Sequence, residues 1–319
     1  MIGRKLIKVM IIATILWYYI IIEFVLKKEK IMQNRNEKCW CGSGQKYKKC
    51  HMEFDEKIKE YELKGHIVPD RYIIKTPMEI DKIKESAVVN TGVLDYVSQN
   101  IKAGMSTEDI DKLVYKYTTE NGAIPAPLNY EGFPKSCCTS LNNEVCHGIP
   151  DENIILKDGD IINVDVSTIK DGYFSDASRM FIIGETTEEA RKLVEVTKEC
   201  LEIGIAQVKP WGHIGDIGAA IQEYAEERGY SVVTMFGGHG IGNEFHEEPF
   251  VSHVGRRDTG MLMVPGMVFT IEPMINTGRP QVYVDKKNGW TSYTMDGSLS
   301  AQWEHQILVT EDGCEIISF

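Results

Sequence analysis

Most of this sequence lacks an excess of basic residues, and this absence excludes one broad class of function. Of its 319 residues, those after position 51 carry 24 Lys and Arg against 44 Asp and Glu. Nucleic-acid affinity depends largely on cationic side chains that neutralise phosphates, so we do not expect this acidic body to bind DNA. Residues 1–51 differ, with 11 basic against 3 acidic side chains, and this basic head could contact RNA.

The sequence also lacks the cysteine spacing of a disulfide framework. Three of its eight cysteines lie within twelve residues beside His51, and the other five are scattered. In a chain of this length, such usage is typical of a metal site plus free thiols in a reducing compartment, so we expect a cytoplasmic protein. The composition, 43% hydrophobic and 26% charged, excludes disordered, fibrous and polytopic membrane chains.

No charge-free run reaches the roughly 20 residues needed to span a bilayer. Residues 9–22 contain no charged side chain, and residues 6–26 are apolar apart from two charges. Two interpretations stay open: a membrane anchor at residues 6–26, or a segment 1–31 that precedes the true start of the protein at Met32. No small-residue cleavage site follows this segment, which argues against a removed signal peptide.

The body of the chain contains an internal duplication. When the sequence is shifted by 107 positions against itself, two separate blocks match in one register. In the later block, KDGDIINVD falls on VPGMVFTIE, so that Asp165 falls on Glu272. The earlier block matches Lys102, Asp109, Ile110, Tyr117, Glu120 and Gly122 to Lys209, Asp216, Ile217, Tyr224, Glu227 and Gly229. A shared register over two blocks indicates two tandem copies of one unit.

Each copy has the pattern of two helices followed by a β-hairpin. Thr76, Pro77 and Glu79 form a capping box with proline at the first helical position, and Ser106 begins a second helix that ends at Gly122. The second copy repeats the helices at residues 188–207 and 214–228. Strand sequences follow at 160–166 and 180–183, and again at 267–271 and 306–309. We therefore predict an α+β fold of two antiparallel sheet halves, related by a pseudo-two-fold axis, with helices outside.

Four acidic residues occupy apolar strand sequence in the two copies. Unpaired acids are almost never fully buried in proteins. A single such acid would be explained as well by a salt bridge, but four on strands that should form the core need a compensating cation. The four residues are Asp165, Asp176, Glu272 and Glu304.

His239 adds an imidazole to these acids. It lies in the glycine-rich GGHGIG sequence, which we expect to form a bend that lets the side chain point inward. One imidazole with four carboxylates is an oxygen-rich set, suited to Mn, Fe or Co rather than to a structural zinc ion. Two ions held by such a set make hydroxide available at neutral pH. The expected reaction class is metal-assisted hydrolysis.

The body of the chain resembles the type I methionine aminopeptidases in five strings: NEVCHGIP, NVDVSTIKDGYFSDASRMF, GGHGIGNEFHEEP, FTIEPM and SAQWEHQILVT. The resemblance covers residues 73–319. It implies the pita-bread fold, which contains two duplicated halves. It also implies removal of the initiator methionine from nascent proteins with a small second residue, by a hydrolase with two divalent ions (Co, Mn, Fe or Zn).

The same resemblance implies a role for each matched residue. The metal ligands would be Asp165, Asp176, His239, Glu272 and Glu304, with Asp176 and Glu304 bridging both ions. Glu272 would also handle the proton of the attacking water. His147 and His246 would hydrogen-bond the scissile carbonyl and amide, although either could instead be a core histidine. The methionine side chain would enter a pocket, whose aromatic walls suit a thioether, formed by Tyr130, Phe133, Cys138, Phe245 and Trp290.

The basic head contains a candidate zinc module. The pattern Cys39-x-Cys41-x8-Cys50-His51 offers three thiolates and an imidazole, the ligand number of a closed tetrahedral zinc site. The string CWCGSGQKYKKCH resembles the SEC-C zinc module at the end of the SecA translocase, and a module this small should fold only with metal. Its lysines favour docking at the ribosome or at a chaperone. We assign residues 32–56 to the module, 57–72 to a charged linker and 73–319 to the catalytic domain.

Two alternative functions stay open. Peptidases that cleave Xaa-Pro bonds use the same fold, but they usually carry a much larger N-terminal domain than the 72 residues that precede the core here. A non-enzymatic binding protein is the other alternative, although such proteins typically lose metal ligands and this sequence keeps all five. We expect a monomer whose substrates are nascent polypeptide N-termini.

Overall fold

The computed structural model describes residues 33–319. The predicted anchor at residues 6–26 and the alternative start at Met32 lie outside these described residues. None of the helices in residues 33–319 has the length and hydrophobicity that a membrane span requires. The chain divides between Lys57 and Ile58 into two compact units.

The small unit is built around its cysteines. A short antiparallel bridge joins Lys38 to Lys46, and a 3-10 turn, Tyr47–Lys49, leads toward helix α1, Met52–Leu63. Gly42, just after the Cys39–Cys41 pair, has a φ of 75°. This left-handed conformation favours glycine and allows the chain to turn back sharply between the cysteines.

The large unit contains the two predicted pairs of helices. The first pair is α2, Pro77–Asn100, and α3, Thr107–Glu120; the second is α4, Glu188–Ile205, and α5, Ile214–Glu227. The capping box predicted for α2 is present. The Glu79 N–H donates to Thr76 Oγ1 at 3.3 Å, and the Thr76 N–H donates to Glu79 Oε2 at 2.7 Å. Ser106 caps α3 in the same way.

Short strands form four sheets in the part of the chain that the structure describes. In chain order they are β1 Ile124–Pro125, β2 Cys138–Leu141, β3 Glu144–Cys146, β4 Ile161–Lys170, β5 Tyr173–Ile182, β6 Ser231–Val232, β7 Gly238–Gly240, β8 Glu247–Val251, β9 Val268–Ile271, β10 Met274–Asn276, β11 Val282–Val284, β12 Ser292–Thr294, β13 Ser300–Gln302, β14 His305–Val309 and β15 Cys314–Ser318. The first copy contributes a sheet of order β1-β4-β2 with β5 beside β4, and the second contributes β15-β14-β9-β7-β8. The other two sheets are β13-β10-β6 and β11-β12-β3.

The predicted α+β fold is confirmed, but the structure contains more strands than the four that the sequence predicts, including one at its end. The strand predicted at residues 306–309 is β14, but β15 follows it and pairs with it in antiparallel fashion. Most residues of β15 are exposed or half-buried, so its sequence does not show the apolar alternation that predicts a strand.

The internal duplication extends to individual backbone hydrogen bonds. The chain before each second helix pairs with the segment before the sheet of the same copy, and equivalent bonds are 107 residues apart. In the first copy the donor and acceptor pairs are Gly104 to Leu156, Thr107 to Ile154 and Leu156 to Met105. In the second copy they are Trp211 to Met263, Ile214 to Met261 and Met263 to Gly212. The two copies are therefore equivalent in structure as well as in sequence.

The helices cover the sheets from outside and bury an apolar core. In the first copy α2 packs on β4 and β5, and α3 packs on α2 and β1, around fully buried side chains that include Leu94, Ile110 and Ile162. In the second copy α4 packs against α5 and against strands β10 and β13. Backbone hydrogen bonds between Ser178 and Glu304 join the two copies.

Candidate metal centre

Asp165 and Asp176 come from neighbouring strands of the first copy. In the β4–β5 ladder Asp165 is paired with Ser178, and Asp176 with Ser167. Paired residues in an antiparallel ladder point to one face, as do residues two apart. Both carboxylates therefore project from the same face, and Ser167 Oγ donates to Asp176 Oδ1 at 2.8 Å.

Glu272 and Glu304 lie where a ladder of the second copy is interrupted. The β9–β14 and β10–β13 ladders are separated by Glu272 and Pro273 on one side and by Trp303 and Glu304 on the other. Proline has no N–H to donate to a ladder. Glu304 instead pairs with Ser178 of the first copy, through two backbone hydrogen bonds of 3.1 and 3.3 Å. The interruption joins the two copies and brings the glutamates to the aspartates.

His239 lies at the centre of strand β7. The expected bend at this residue is wrong: His239 is part of the antiparallel sheet between β8 and β9. The flanking glycines are needed for close approach, because a Cβ at Gly238 would lie 2.2 Å from the Thr270 carbonyl oxygen and one at Gly240 would lie 2.1 Å from that of Glu248. The imidazole Nε2 is 3.8 Å from an Asp176 oxygen and 3.7 Å from a Glu272 oxygen.

The five predicted ligands thus converge in one place. Ligand atoms of Asp176, His239 and Glu304 all lie within 4.8 Å of one another. Glu272 contacts His239 as described, and the Asp165 carboxyl group interacts directly with that of Asp176. Asp176, Glu272 and Glu304 are buried, with 4%, 7% and 2% of their surface exposed, and Asp165 is half-buried.

The acids raise one another's cost of ionisation. Burial raises the pKa of Asp165 to about 7 and that of Glu272 to about 8. Burial, and then the charges of neighbouring carboxylates, raises the pKa of Asp176 and Glu304 well above the ordinary range. Among residues 33–319, no lysine or arginine forms an ion pair with any of them. Buried acids without a partner need a cation to ionise together, and this oxygen-rich donor set fits divalent ions.

Several residues that hold these ligands were missed by the sequence analysis. Thr270 Oγ1 donates to Glu272 Oε1 at 2.8 Å, and Gln302 Nε2 donates to Glu272 Oε2 at 3.2 Å. The buried His253 accepts the Glu272 backbone N–H on Nε2 at 3.1 Å. Thr270 and Gln302 each lie two positions before a predicted ligand, so strand alternation could have found them. His253 has no signal in the sequence because it contacts the backbone of Glu272 and not its side chain.

His246 and His147 lie beside the five ligands. The His246 ring is exposed, 4.3 Å from the His239 ring, and its Nδ1 is 3.0 Å from the Tyr130 hydroxyl. His147 follows β3 with a left-handed φ of 56°, which is uncommon outside glycine. Its ring contacts those of Phe236 and Trp290. Burial lowers the pKa of His147 to about 4, so its imidazole is neutral at pH 7.

The five predicted pocket residues all contact the centre or one another. Tyr130 meets Phe245 edge to face with ring centroids 4.9 Å apart, and Phe133 meets Trp290 in the same way at 5.2 Å. The Phe245 ring also approaches His239. Cys138, in β2, is paired with Asp165 across the β2–β4 ladder, so its thiol shares the face of that carboxylate.

The predicted zinc ligands of the small unit also come together. Ligand atoms of Cys39, Cys41, Cys50 and His51 lie within 4.8 Å of one another. His51 Nδ1 is 3.2 Å from Cys39 Sγ and 3.1 Å from Cys50 Sγ, and the sulfurs of Cys41 and Cys50 are 3.5 Å apart. Three sulfurs and one nitrogen in this arrangement fit a zinc site.

Two family models match the chain. Residues 81–311 match metallopeptidase family M24, and residues 35–53 match the SEC-C motif. The methionine aminopeptidase of Chlamydia pneumoniae is 45% identical over 287 residues, which are 89% of this chain and 98% of that relative. Methionine aminopeptidase A of Synechocystis is 50% identical over 250 residues, 78% of this chain and 98% of that protein.

Solved structures agree with these similarities. The methionine aminopeptidase of Rickettsia prowazekii has a TM-score of 0.76 at 45% identity and covers 77% of this chain and 99% of its own. A prolidase from Pyrococcus furiosus has a TM-score of 0.60 at 23% identity, and only 65% of that chain is covered. The prolidase therefore shares the fold alone.

Proposed function

The chain belongs to metallopeptidase family M24, and we propose that four carboxylates and His239 form the centre with which it removes N-terminal methionine from polypeptides. It is a hydrolase of the aminopeptidase class, since methionine aminopeptidases match it at 45–50% identity over most of both chains. The observation that carries the proposal is the convergence of buried acids from both copies, with no cationic side chain of residues 33–319 paired to them.

The proposed ligands would hold two divalent ions. Eight carboxylate oxygens and one imidazole nitrogen are more donors than a single six-coordinate ion can use. Asp176 and Glu304 lie in one group with His239 and would contribute carboxylate oxygens from both copies. Mn, Fe, Co and Zn all accept such ligands. The complete set is Asp165, Asp176, His239, Glu272 and Glu304.

Protein groups around the ions orient the substrate and move the proton. When bound, the ions make hydroxide available at neutral pH and polarise the scissile carbonyl. Hydrogen bonds from Thr270 and Gln302 hold the Glu272 carboxylate, which takes the proton of the attacking water and passes it to the leaving amine. When the Tyr130 hydroxyl donates to Nδ1 of His246, Nε2 carries the proton and donates to the substrate.

His147 has a complementary role in this proposal. Its neutral imidazole donates one hydrogen bond to the peptide while the tetrahedral intermediate forms, as a donor aimed at developing charge. The methionine side chain is bound by aromatic rings and a thiol, contacts that favour a thioether. The proposed pocket residues are Tyr130, Phe133, Cys138, Phe245 and Trp290.

A pair of tripeptides tests the substrate assignment. We expect Met-Ala-Ser to be cleaved with a kcat/KM at least about a hundredfold higher than Ala-Pro-Ser, because a pocket built for one side chain discriminates by several kcal/mol. The control is the same enzyme after chelation, which should lose activity and regain it with Mn or Co. A preference for Ala-Pro-Ser would assign the chain to the Xaa-Pro peptidases. Failure of the metal-loaded enzyme on both peptides would favour a binding protein.

Replacing His246 tests its role as a donor. We expect His246→Ala to lower kcat about 10²- to 10³-fold, the usual cost of removing a donor to a developing charge, with unchanged metal content. Steady-state kinetics and elemental analysis measure the two quantities. His66→Ala, outside the centre, is the matched control. Loss of metal together with activity would show that His246 is a ligand or a structural residue instead.

For the small unit we propose one structural zinc ion and a docking role. The cluster of Cys39, Cys41, Cys50 and His51 supplies the ligands, and the unit is too small to fold on a hydrophobic core alone. Lys46, Lys48 and Lys49 leave its surface positive. This charge favours the phosphate-rich surface of the ribosome, where nascent N-termini emerge, or a chaperone at that place.

A cysteine variant separates the zinc module from catalysis. We expect Cys41→Ser to lose one equivalent of zinc and to abolish cosedimentation with ribosomes at low salt, because the module needs metal to fold. Its kcat on Met-Ala-Ser should stay within about twofold of the parent, since the proposed centre contains none of these residues. Cys314→Ser, in strand β15, should keep both zinc and ribosome binding. Parent protein that does not cosediment would remove the ribosomal proposal.

The remaining proposals concern organisation and location. We propose that residues 32–56, 57–72 and 73–319 act as zinc module, linker and catalytic domain in a monomer that works in the cytoplasm. The first part of the proposed linker is helical. Helix α1 continues to Leu63, and the Tyr61 ring stacks on that of Trp211 with centroids 5.3 Å apart.

A further inference from the structure

A lysine outside the metal centre is completely buried. Lys75 precedes helix α2, its backbone N–H donates to the Gly266 carbonyl at 2.8 Å, and no part of its side chain is exposed. Its ammonium group pairs with the carboxylate of Glu247, which is 5% exposed. Lysine is almost never fully buried unless it is paired, so this ion pair calls for an explanation.

Glu247 directly follows His246 and closes a tight turn. Its Oε1 accepts the backbone N–H of Asn243 at 2.7 Å and that of Glu244 at 2.8 Å. Its other oxygen faces Lys75. The carboxylate therefore joins both ends of the turn at residues 243–247, and this turn carries Phe245 and His246, whose rings contact that of His239.

A second contact attaches the same turn to the start of α2. The Asn243 side-chain amide donates to Glu79 Oε1 at 3.1 Å, and Glu79 is itself held by the Thr76 capping box. The turn also packs on the lysine stem, since a Cβ at Gly242 would lie 3.1 Å from Lys75 Cε. Residues 75–79 thus hold the turn at two points, more than 160 positions away in sequence.

We propose that Lys75 is a positioning residue for His246. By pairing with Glu247 it holds the 243–247 turn against the start of α2, so that the His246 imidazole stays beside Tyr130 and His239. This proposal rests on the donor role of His246 proposed above. The physical reason is general: a catalytic group displaced by about 1 Å can lose on the order of a hundredfold in rate.

A double-mutant cycle tests whether Lys75 acts through His246. Lys75→Met keeps the length of the side chain and removes its charge. We expect it to lower kcat on Met-Ala-Ser about 10- to 100-fold, with KM within about threefold and with unchanged metal content. In a His246→Ala background the same substitution should cost less than about twofold, because the group that Lys75 positions is already absent.

Two further variants keep the test decisive. Val114→Ala, in the core of the first copy, lowers stability without touching the turn and should leave kcat unchanged. If Lys75→Met does not fold, K75M/E247Q, which removes both charges together, replaces it in the cycle. An equal cost of the lysine substitution in both backgrounds would overturn the proposal, as would an unchanged kcat. A parent-like kcat in His246→Ala alone would instead overturn the proposed role of His246.

Discussion

Glu304→Ala is expected to abolish most of the activity and to lose metal. The residue carries a buried carboxylate beside Asp176 and His239, and its loss removes two of the proposed ligand oxygens. We expect kcat to fall by more than about a thousandfold, since the hydrolytic water depends on the ions. Elemental analysis should find clearly less bound divalent ion than in the parent after identical loading.

The same substitution should increase the stability of the metal-free protein. Removing one of the four buried acids should make metal-free Glu304→Ala more stable than the metal-free parent at pH 8, because the folded parent has to keep a proton on this acid that the unfolded chain has released. Glu311→Ala, an exposed acid a few residues later, is the control for both measurements. A variant that keeps full metal content and normal turnover would contradict the assignment of Glu304.

The second large effect is on the pH dependence of stability after chelation. We expect the metal-free protein to lose stability between pH 6.5 and 8, and added Mn or Co to restore it. In the unfolded chain these acids have released their protons well below pH 6.5. In the folded chain burial raises the pKa of Asp165 to about 7 and that of Glu272 to about 8, and holds those of Asp176 and Glu304 higher still.

The sign and size follow from proton linkage. The folded state binds more protons than the unfolded state in this window, so the free energy of unfolding falls as pH rises. Each proton that only the folded state retains lowers the free energy of unfolding by about 1.4 kcal/mol per pH unit. Two such protons across 1.5 pH units lower it by about 4 kcal/mol. Below pH 6.5 the buried histidines, whose pKa burial lowers (to about 3 for His239), act in the opposite direction.

Urea unfolding at pH 6.5 and at pH 8, with chelator and with added ions, measures this effect. The metal-loaded protein is the internal control, because cations at the centre let the acids ionise in the folded state. It should therefore show a smaller pH dependence than the metal-free protein. If the metal-free protein is instead more stable at pH 8 than at pH 6.5, the acids are not held in mutual repulsion, and the proposed centre is wrong.

Local sequence patterns were sufficient for much of the fold. Helix caps at Thr76 and Ser106 depend on residues three positions apart, and strands are visible when alternate residues are apolar. Strand β15 was missed because it is mostly exposed, and the conformation at His239 was wrong because its glycines were taken for a bend. In the structure those glycines instead make room for carbonyl oxygens of other strands.

The sequence likewise predicts some residues of the candidate site and not others. The five proposed ligands could be named because acids in apolar strands are costly without a cation, and because duplication and matched strings connected them. His253 and Lys75 could not be named, since their effects depend on partners in other parts of the chain. His253 contacts a backbone N–H, and Lys75 contacts a carboxylate 172 positions away.

By itself the sequence determined which residue types this protein has available for metal, how its two copies align and where its elements begin. These properties depend on short-range spacing and on the cost of burying charge. Only the tertiary structure decided that Glu304 pairs with Ser178 across the copies, and that Glu247 holds the His246 turn against Lys75. Such contacts form between distant segments when the core packs, and no local pattern in a single sequence encodes them.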